Sequence, residues 1–459
     1  MLALYDTALR RVEELDLRRP GEVSLYVCGP TVYGEPHAGH GRMTVVWDVL
    51  RRYLEWSGLA VRMVSNITDI DDKIIERANR EGRTAAEVAE QYEARWYDVM
   101  DGLGVRRPDA DPHATAWVGE MVALVAGLVA DGAAYPTADG VYFSAARVAD
   151  YGLLAGQALD DMRAGERVAV VEEKRAPADF ALWKKAKPGE PRWPSPWGDG
   201  RPGWHTECVV MSLGLLGEGF DIHGGGIDLV FPHHENERAQ AVAAGRAFAR
   251  RWAHSGHLVA TGGEKMSKSL GNVVSLGELL DGFDARAFRL VVLQAHYRSP
   301  MEVSREAMAS AQRAVARFDE LNRKLERLGA TAEVTPNPEV LSRFRALMDD
   351  DLGTPAATGL IFETVTAANA ALVGDDRPAA LARAAAVFEM LKALGMATGR
   401  HGPDVPAGVA ALVQEREAAR ASGDWGRADE IRHELGSAGW VVKDTPGGSQ
   451  VHFDRPGAQ

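Results

Sequence analysis

The apolar run Leu25-Tyr26-Val27 is followed by the turn residues Gly29 and Pro30, then by His37-Ala38-Gly39-His40, and then by a helix-like stretch from Met43 to Tyr53. A strand that turns into a helix is the opening of a crossover unit, which restricts the chain to folds built on a parallel sheet. The next apolar run, Val61 to Val64, leads into Asn66-Ile67-Thr68-Asp69-Ile70-Asp71-Asp72 and completes a strand, helix, strand series, one half of a parallel α/β sheet. A helix start presents unpaired backbone N–H groups and the positive end of the dipole, so the His37 to His40 turn is a natural phosphate site. Gly39 has no side chain, which lets an adenine ring lie against the backbone.

Far downstream, Gly263 and Gly271 flank Lys265-Met266-Ser267-Lys268-Ser269. Two imidazoles and two mobile ammonium groups could share the charge that builds up when the α-phosphate of a nucleotide is attacked and pyrophosphate leaves. Either motif alone is equally an ordinary pair of capping histidines or a solvated lysine turn. Paired in this order, more than two hundred residues apart, they resemble the class I aminoacyl-tRNA synthetases, whose motifs read His-Ile-Gly-His and Lys-Met-Ser-Lys-Ser. Ala38 departs from the usual Ile at a packing position and leaves both histidines and the glycine in place.

Charge bears on the partners. The formal net charge is -13, from 52 basic and 65 acidic residues, so a nucleic acid must meet a local basic surface, and a non-specific coat protein is disfavoured. Met1 to Leu15 contains Asp6, Arg10, Arg11, Glu13 and Glu14, which interrupt any signal-like apolar core. No unbroken apolar run of about eighteen residues is present, and a cytoplasmic chain that spans no membrane is expected.

The only cysteines are Cys28 and Cys208. Isolated buried thiols or a disulfide would explain them, although a cytoplasmic chain disfavours the disulfide. Cys28 ends the first strand just before His37. Cys208 follows Gly203-Trp204-His205-Thr206-Glu207 and precedes Phe231-Pro232-His233-His234-Glu235-Asn236-Glu237. Pro232 can start a helix that sets His233 and Glu237 at i and i+4 on one face, and two thiolates, an imidazole and a carboxylate are a zinc set.

Here the resemblance narrows to the cysteinyl-tRNA synthetases and covers nearly the whole chain. It is carried by Tyr26-Val27-Cys28-Gly29-Pro30-Thr31-Val32-Tyr33, by Asn66 to Lys73, by Gly203-Trp204-His205 with Glu207-Cys208, and by His223-Gly224-Gly225-Gly226 through Asp228 to Glu237. The resemblance implies one zinc per chain on Cys28, Cys208, His233 and Glu237, with His205, His234 and Glu235 as non-ligands. It places Thr68, Trp204, His223 and Asp228 around the substrate. His37, Gly39, His40, Lys265 and Lys268 are implied to hold ATP with its Mg2+, the histidines at the reacting phosphate and the lysines at the leaving pyrophosphate. Zinc favours a soft thiolate over a neutral hydroxyl, which separates cysteine from serine where pocket shape alone is weak. Four protein ligands suit a closed site, so Glu237 is expected to be the weak ligand when substrate arrives.

The implied architecture is a Rossmann-type α/β catalytic domain with an insertion, followed by helical domains. Its parts are 1–120, the first half of the sheet; 121–200, a connective insertion; 201–285, the second half with the zinc-ligand helix and lysine loop; 286–402, a helical stem; and 403–459, a small anticodon-binding unit. The segment Pro191 to Gly198 excludes a regular helix or central strand. Arg420, Asp429 and Asp444 are implied to contact anticodon bases, with Trp425 packing the unit; carboxylates can accept from base amino groups. Helix-surface ion pairing explains the same residues equally well.

The expected activity is activation of L-cysteine to cysteinyl-adenylate and transfer to tRNA(Cys) by a monomer. Its rivals are the related ligase that joins activated cysteine to an amino sugar in mycothiol synthesis, and a non-catalytic RNA-binding paralogue. Some bacterial members also make cysteine persulfide with pyridoxal phosphate held by lysines, and Lys73-Ile74-Ile75-Glu76-Arg77 and the Lys265 loop stand at the matching places.

Overall fold

The computed structural model describes residues 1–157, 174–259, 275–327, 334–396, 407–437, 440–445 and 448–453. Strand β1 (Glu22–Val27) is buried along nearly its whole length, as the unbroken apolar run requires of a strand covered on both faces. It leads to helix α1 (Ala38–Trp56) and strand β2 (Ala60–Ser65). After an excursion the chain returns through α2 (Trp204–Leu216), β3 (Ile222–Gly226), α3 (Glu235–Ala243) and β4 (Arg251–Ser255). The four strands pair in parallel in the order β4-β3-β1-β2. Tyr26 stands opposite Val64 on one side and His223 on the other.

This order has a functional consequence. The chain leaves β1 toward one edge and β3 toward the other, so the strand order reverses between β1 and β3. Ligands of open α/β sheets bind in the crevice beyond the carboxyl ends of strands at such a switch point. Cys28 and Gly224 lie there, joined by a 3.2 Å bond from Cys28 N to the Gly224 carbonyl. Glycine is required at 224, because a Cβ would lie 2.9 Å from the Trp47 ring of α1.

The excursion between the sheet halves contains a four-stranded antiparallel sheet of Ala134–Pro136, Gly140–Phe143, Phe180–Lys185 and Gly200–Pro202. It has its own core of Val125, Leu128, Val141, Phe143, Leu182 and Trp183. Within Pro191 to Gly198 the only pairing is a single bridge from Trp193 to Gly200, and the Trp183 indole N–H donates to the Gly198 carbonyl at 3.2 Å.

Helices Ala285–Gln294, Arg305–Arg327, Pro338–Asp349, Thr354–Val373 and Arg377–Ala393 follow. Asn337 caps the helix Pro338–Asp349, accepting from the N–H groups of Glu339 and Val340. Between Pro338–Asp349 and Thr354–Val373 the helical stem is interrupted at Asp350 to Gly353, where Asp351 and Leu352 have φ of 50° and 53°. The break is held from outside: the Asp351 carboxylate accepts from Tyr5 N at 2.8 Å and from Arg298 Nε at 2.8 Å. Thr354–Val373, although interrupted by Glu363 and Asn369, is long and apolar enough by length and composition alone to cross a membrane, a test that a core helix also passes. Its buried face, which includes Leu360, Ile361 and Val365, joins the main core with Phe344 and Met390.

The last described unit is a helix pair, Ala407–Ser422 and Trp425–Ser437, packed on the antiparallel strands Trp440–Thr445 and Gly448–Phe453. The stretch Gly402-Pro403-Asp404-Val405-Pro406, whose glycine and prolines mark a linker in the sequence, lies outside the described residues.

Candidate metal and nucleotide site

His37 and His40 shape the start of α1. The His37 Nδ1 accepts from His40 N at 3.3 Å and the His40 Nδ1 accepts from His37 N at 3.2 Å, a reciprocal capping box. Because both Nδ1 atoms accept, the neutral rings carry their protons on Nε2, as hydrogen-bond donors. The rings stack at 3.6 Å and 14°, and His40 meets the face of Trp96 edge-on at 5.5 Å. A Cβ on Gly39 would lie 3.0 Å from the His37 Nδ1, so glycine also protects the cap. Lys265 and Lys268 lie outside the described residues.

The second cluster fills the switch point. Cys28 Sγ lies 3.6 Å from Cys208 Sγ and 3.6 Å from Glu237 Oε1. Cys208 Sγ is 3.6 Å from His233 Nε2, which is 3.0 Å from Glu237 Oε1. All four ligand atoms fall within 4.8 Å of one another and all four residues are buried. A tetrahedral zinc with bonds of about 2.0–2.3 Å sets its ligand atoms roughly 3.3–3.8 Å apart, so the donor set and its spacing fit that ion. Without a cation the set is electrically unfavourable. Burial lifts the Cys28 thiol far above its usual range, lifts Cys208 to about 12, raises Glu237 and pushes His233 well down. A dication would reverse the shifts of both thiols and of Glu237 by favouring thiolate and carboxylate, and would reinforce that of His233 by favouring the neutral imidazole.

Local sequence explains how the ligands converge. Phe231 is extended at φ −137° and ψ 133°, as suits a residue before proline. Helical geometry then places His233 and Glu237 one turn apart, while α2 supplies Cys208 from its second turn. A rival set of Cys28, His223, His234 and Glu237 shares two of these residues. Its imidazoles are already engaged. His223 Nε2 holds Glu237 Oε2 at 2.8 Å, and His234 bridges His254 at 2.8 Å and the Cys28 sulfur at 3.2 Å. His254 in turn meets the Thr7 hydroxyl at 2.7 Å. If Thr7 donates, the protons run in sequence and leave His234 Nε2–H pointing at the Cys28 sulfur, the role of an outer group that orients a ligand. His205 Nδ1 meets His233 Nδ1 at 2.9 Å and so fixes Nε2 as the ligand nitrogen.

The expected substrate residues divide. Trp204 stacks on His233 at 4.2 Å and is 37 % exposed, placed over the cluster. Thr68 is buried; it accepts from Asn66 Nδ2 at 3.1 Å and donates to Glu207 Oε2 at 2.9 Å. Asp228 is exposed in the turn Ile227–Leu229, beside Gly226, where a Cβ would lie 2.5 Å from its Oδ1. His223 was expected against substrate or nucleotide; it is 0 % exposed and braces Glu237. Asn66 and Glu207 stand in stretches that carry the resemblance but are given no role by sequence, and His254 and Thr7 are not marked by it at all. Asn66 could have been noticed beside Thr68, since its Oδ1 also accepts from Gly29 N at 2.9 Å; for Thr7 no local signal exists. Lys73 is exposed and lies 5.3 Å from the Tyr33 ring centre.

In the C-terminal unit, Arg420 is half-buried beside Ser449 and Glu417, at 3.4 and 3.6 Å. Asp429 is exposed on its helix, and Asp444 falls on the strand Trp440–Thr445. Trp425 was expected to pack the unit; it is 62 % exposed, because the small core of Ile431, Leu435, Trp440 and Val442 closes without it.

Comparison with known proteins joins these parts. Residues 14–313 match the class I (C) tRNA synthetase catalytic domain, 343–398 a DALR domain, and 402–451 the cysteinyl-tRNA ligase anticodon binding domain. The chain is 44% identical over 480 residues to the cysteine–tRNA ligase of Thermus thermophilus, covering 99% of this chain and 100% of that one. It is 44% identical over 476 residues to that of Anaeromyxobacter dehalogenans, covering 98% of each. Among solved structures, methionyl-tRNA synthetase of Mycobacterium tuberculosis with methionyl-adenylate superposes with a TM-score of 0.60 at 16% identity, over 85% of this chain and 94% of that one. A LeuRS of Agrobacterium radiobacter in a ternary complex with tRNA and LeuAMS gives 0.64 at 11% identity, over 83% and 85%. The latter two speak for the fold, while the matched domains and full-length relatives place the chain in the cysteine–tRNA ligase family of class I aminoacyl-tRNA synthetases.

Proposed function

We propose that the chain activates L-cysteine with ATP to cysteinyl-adenylate and pyrophosphate, then transfers the cysteinyl group to tRNA(Cys), with a zinc ion selecting the substrate thiolate. The observation that carries this reading is the buried Cys28, Cys208, His233 and Glu237 cluster at the sheet's switch point. These four residues hold the ion, which when bound supplies a soft Lewis acid that favours a thiolate over a hydroxyl. Glu237 is the ligand suited to yield, since His223 retains its second oxygen.

The remaining work falls to the chain's own groups. His37 and His40 present Nε2–H donors at the start of α1, where the helix dipole also favours negative charge, and they stabilise the α-phosphate as the cysteine carboxylate attacks it. Lys265 and Lys268 take up the charge of the departing pyrophosphate. Trp204 covers the amino acid, and Thr68, held between Asn66 and Glu207, orients its polar groups together with Asp228. No side chain acts as a covalent nucleophile. Arg420, Asp429 and Asp444 read the anticodon. The deciding experiment is cysteine-dependent ATP–pyrophosphate exchange, followed by charging of a tRNA with a GCA anticodon; exchange that is equally fast with serine would overturn the proposed selectivity.

A further inference from the structure

Two residues after His40, α1 carries a guanidinium that the reaction above does not use. Arg42 is 1 % exposed. Its Nη1 donates to the carbonyl of His257, and its Nη2 donates to the carbonyls of Ser299 and, at 3.2 Å, Tyr297. Burial is the one cause acting on its pKa, which falls to about 10; among the described residues no carboxylate pairs with it. Burying a cation without an anion is costly. Main-chain carbonyls alone hold this one, the acceptor pattern of a group that fastens backbone.

Those carbonyls belong to two neighbouring segments. Leu258–Val259 pairs in parallel with Met301–Glu302, Gly256 N donates to Tyr297 O at 2.7 Å, and Met301 N donates to His257 O at 3.0 Å. The approach depends on Gly256, where a Cβ would lie 2.5 Å from the carbonyl oxygens of Arg298 and Ser299. Immediately after Val259 the chain enters 260–274, the stretch that carries Lys265 and Lys268 and lies outside the described residues. Its far end returns to the same part of α1. Ser275 bridges His37, Leu276 N donates to the Pro36 carbonyl at 3.3 Å, and a Cβ on Gly41 would lie 2.6 Å from the Leu276 side chain.

We propose that Arg42 is a positioning residue for adenylate formation: it fastens the entry to the lysine-bearing stretch onto the helix turn that presents His37 and His40, so both ends of that stretch start from fixed points on α1. This rests on the reading that Lys268 meets the triphosphate. Two halves of a phosphate site drawn from distant parts of a chain need a common mount, since a misplacement of about 1 Å can cost roughly a hundredfold in rate. Arg suits the task because its fork reaches His257 with one nitrogen and the 297–299 segment with the other, whereas a lysine ammonium is a single point donor.

The test compares full-length Arg42→Lys, Arg42→Met and Lys268→Ala with the wild type, measuring bound zinc, melting temperature, KM for cysteine, KM for ATP and the maximal pyrophosphate-exchange rate. Arg42→Lys should keep its zinc and a cysteine KM within about twofold of wild type, yet lose about tenfold or more in exchange rate, with Arg42→Met losing more. Wild-type exchange and ATP KM in both Arg42 variants, with Lys268→Ala impaired, would overturn the inference. A wild-type rate in Lys268→Ala would instead overturn the reading beneath it. Should Arg42→Met fail to fold, Arg42→Lys decides: a lowered melting temperature with equal losses in cysteine KM, ATP KM and rate would show a merely structural role and likewise overturn it.

Discussion

Cys208 stands 3.6 Å from both the Cys28 sulfur and the His233 nitrogen, so replacing its sulfur with oxygen removes one of the two soft donors of the buried set. Cys208→Ser should lose bound zinc and, with it, cysteine activation, as read by metal analysis and pyrophosphate exchange on the same sample; normal activation in verified zinc-free protein would refute the role. The two histidines of α1 illustrate a different residue-level rule. Each uses Nδ1 to cap the other, so folding itself selects the tautomer that donates from Nε2. At Lys268 the expectation concerns when charge develops. Lys268→Ala should slow adenylate formation far more than it weakens cysteine binding, because pyrophosphate charge grows toward the transition state. An unchanged activation rate at saturating ATP would count against it.

Among the elements, α1 does the most. Its first turn carries the reciprocal histidine cap, Trp47 packs against the backbone of β3 at Gly224, and Asp48 makes a buried pair with Arg289 of the helix Ala285–Gln294 at 2.6 Å. Arg289 also donates to the Leu394 carbonyl at 3.0 Å, so the same pair reaches the end of Arg377–Ala393. Burial alone would raise the Asp48 pKa; Arg289 and then Arg52 reverse this and hold it below 3.8. A depressed carboxylate contributes stability that is complete above its unfolded value near 3.8 and is lost as pH falls through the lower folded value. Asp48→Asn should therefore destabilise the fold at neutral pH by roughly 3–5 kcal/mol, since it leaves a buried guanidinium unpaired. In urea titrations the difference between variant and wild type should shrink only in strongly acid solution; a difference that shrinks already near pH 6 would contradict the assignment.

For the whole molecule, the core around Cys28 and Cys208 and that of the C-terminal unit are separate, with a helical domain between them in sequence. Cutting near Pro406 should leave pyrophosphate exchange largely intact and strongly impair tRNA charging. Asp429→Ala should act in the same direction in kcat/KM for tRNA, by about 1–3 kcal/mol if it holds a base edge. A truncated chain that charges tRNA(Cys) and discriminates anticodon variants as the full chain does would remove the C-terminal unit as reader. The exposure of Trp425 leaves a large aromatic face available on that unit, where a packing role had been expected.

Much of this was legible in the chain itself. The strand, turn and capped helix of Leu25 to Tyr53 and the i, i+4 spacing of His233 and Glu237 are local patterns, set by periodicity, caps and turn residues that act over a few positions. The resemblance that the sequence motifs carry also pointed to Cys28, Cys208, His233 and Glu237, four buried residues that the fold brings together. The tertiary structure alone decided which groups surround them. Thr7 reaches Cys28 through His254 and His234, the buried His223 braces Glu237, and the helices Pro338–Asp349 and Thr354–Val373 part where Tyr5 and Arg298 hold Asp351 in a turn. Such contacts join positions hundreds of residues apart, and they depend on how sheet order and helix packing converge in space, which no local rule encodes.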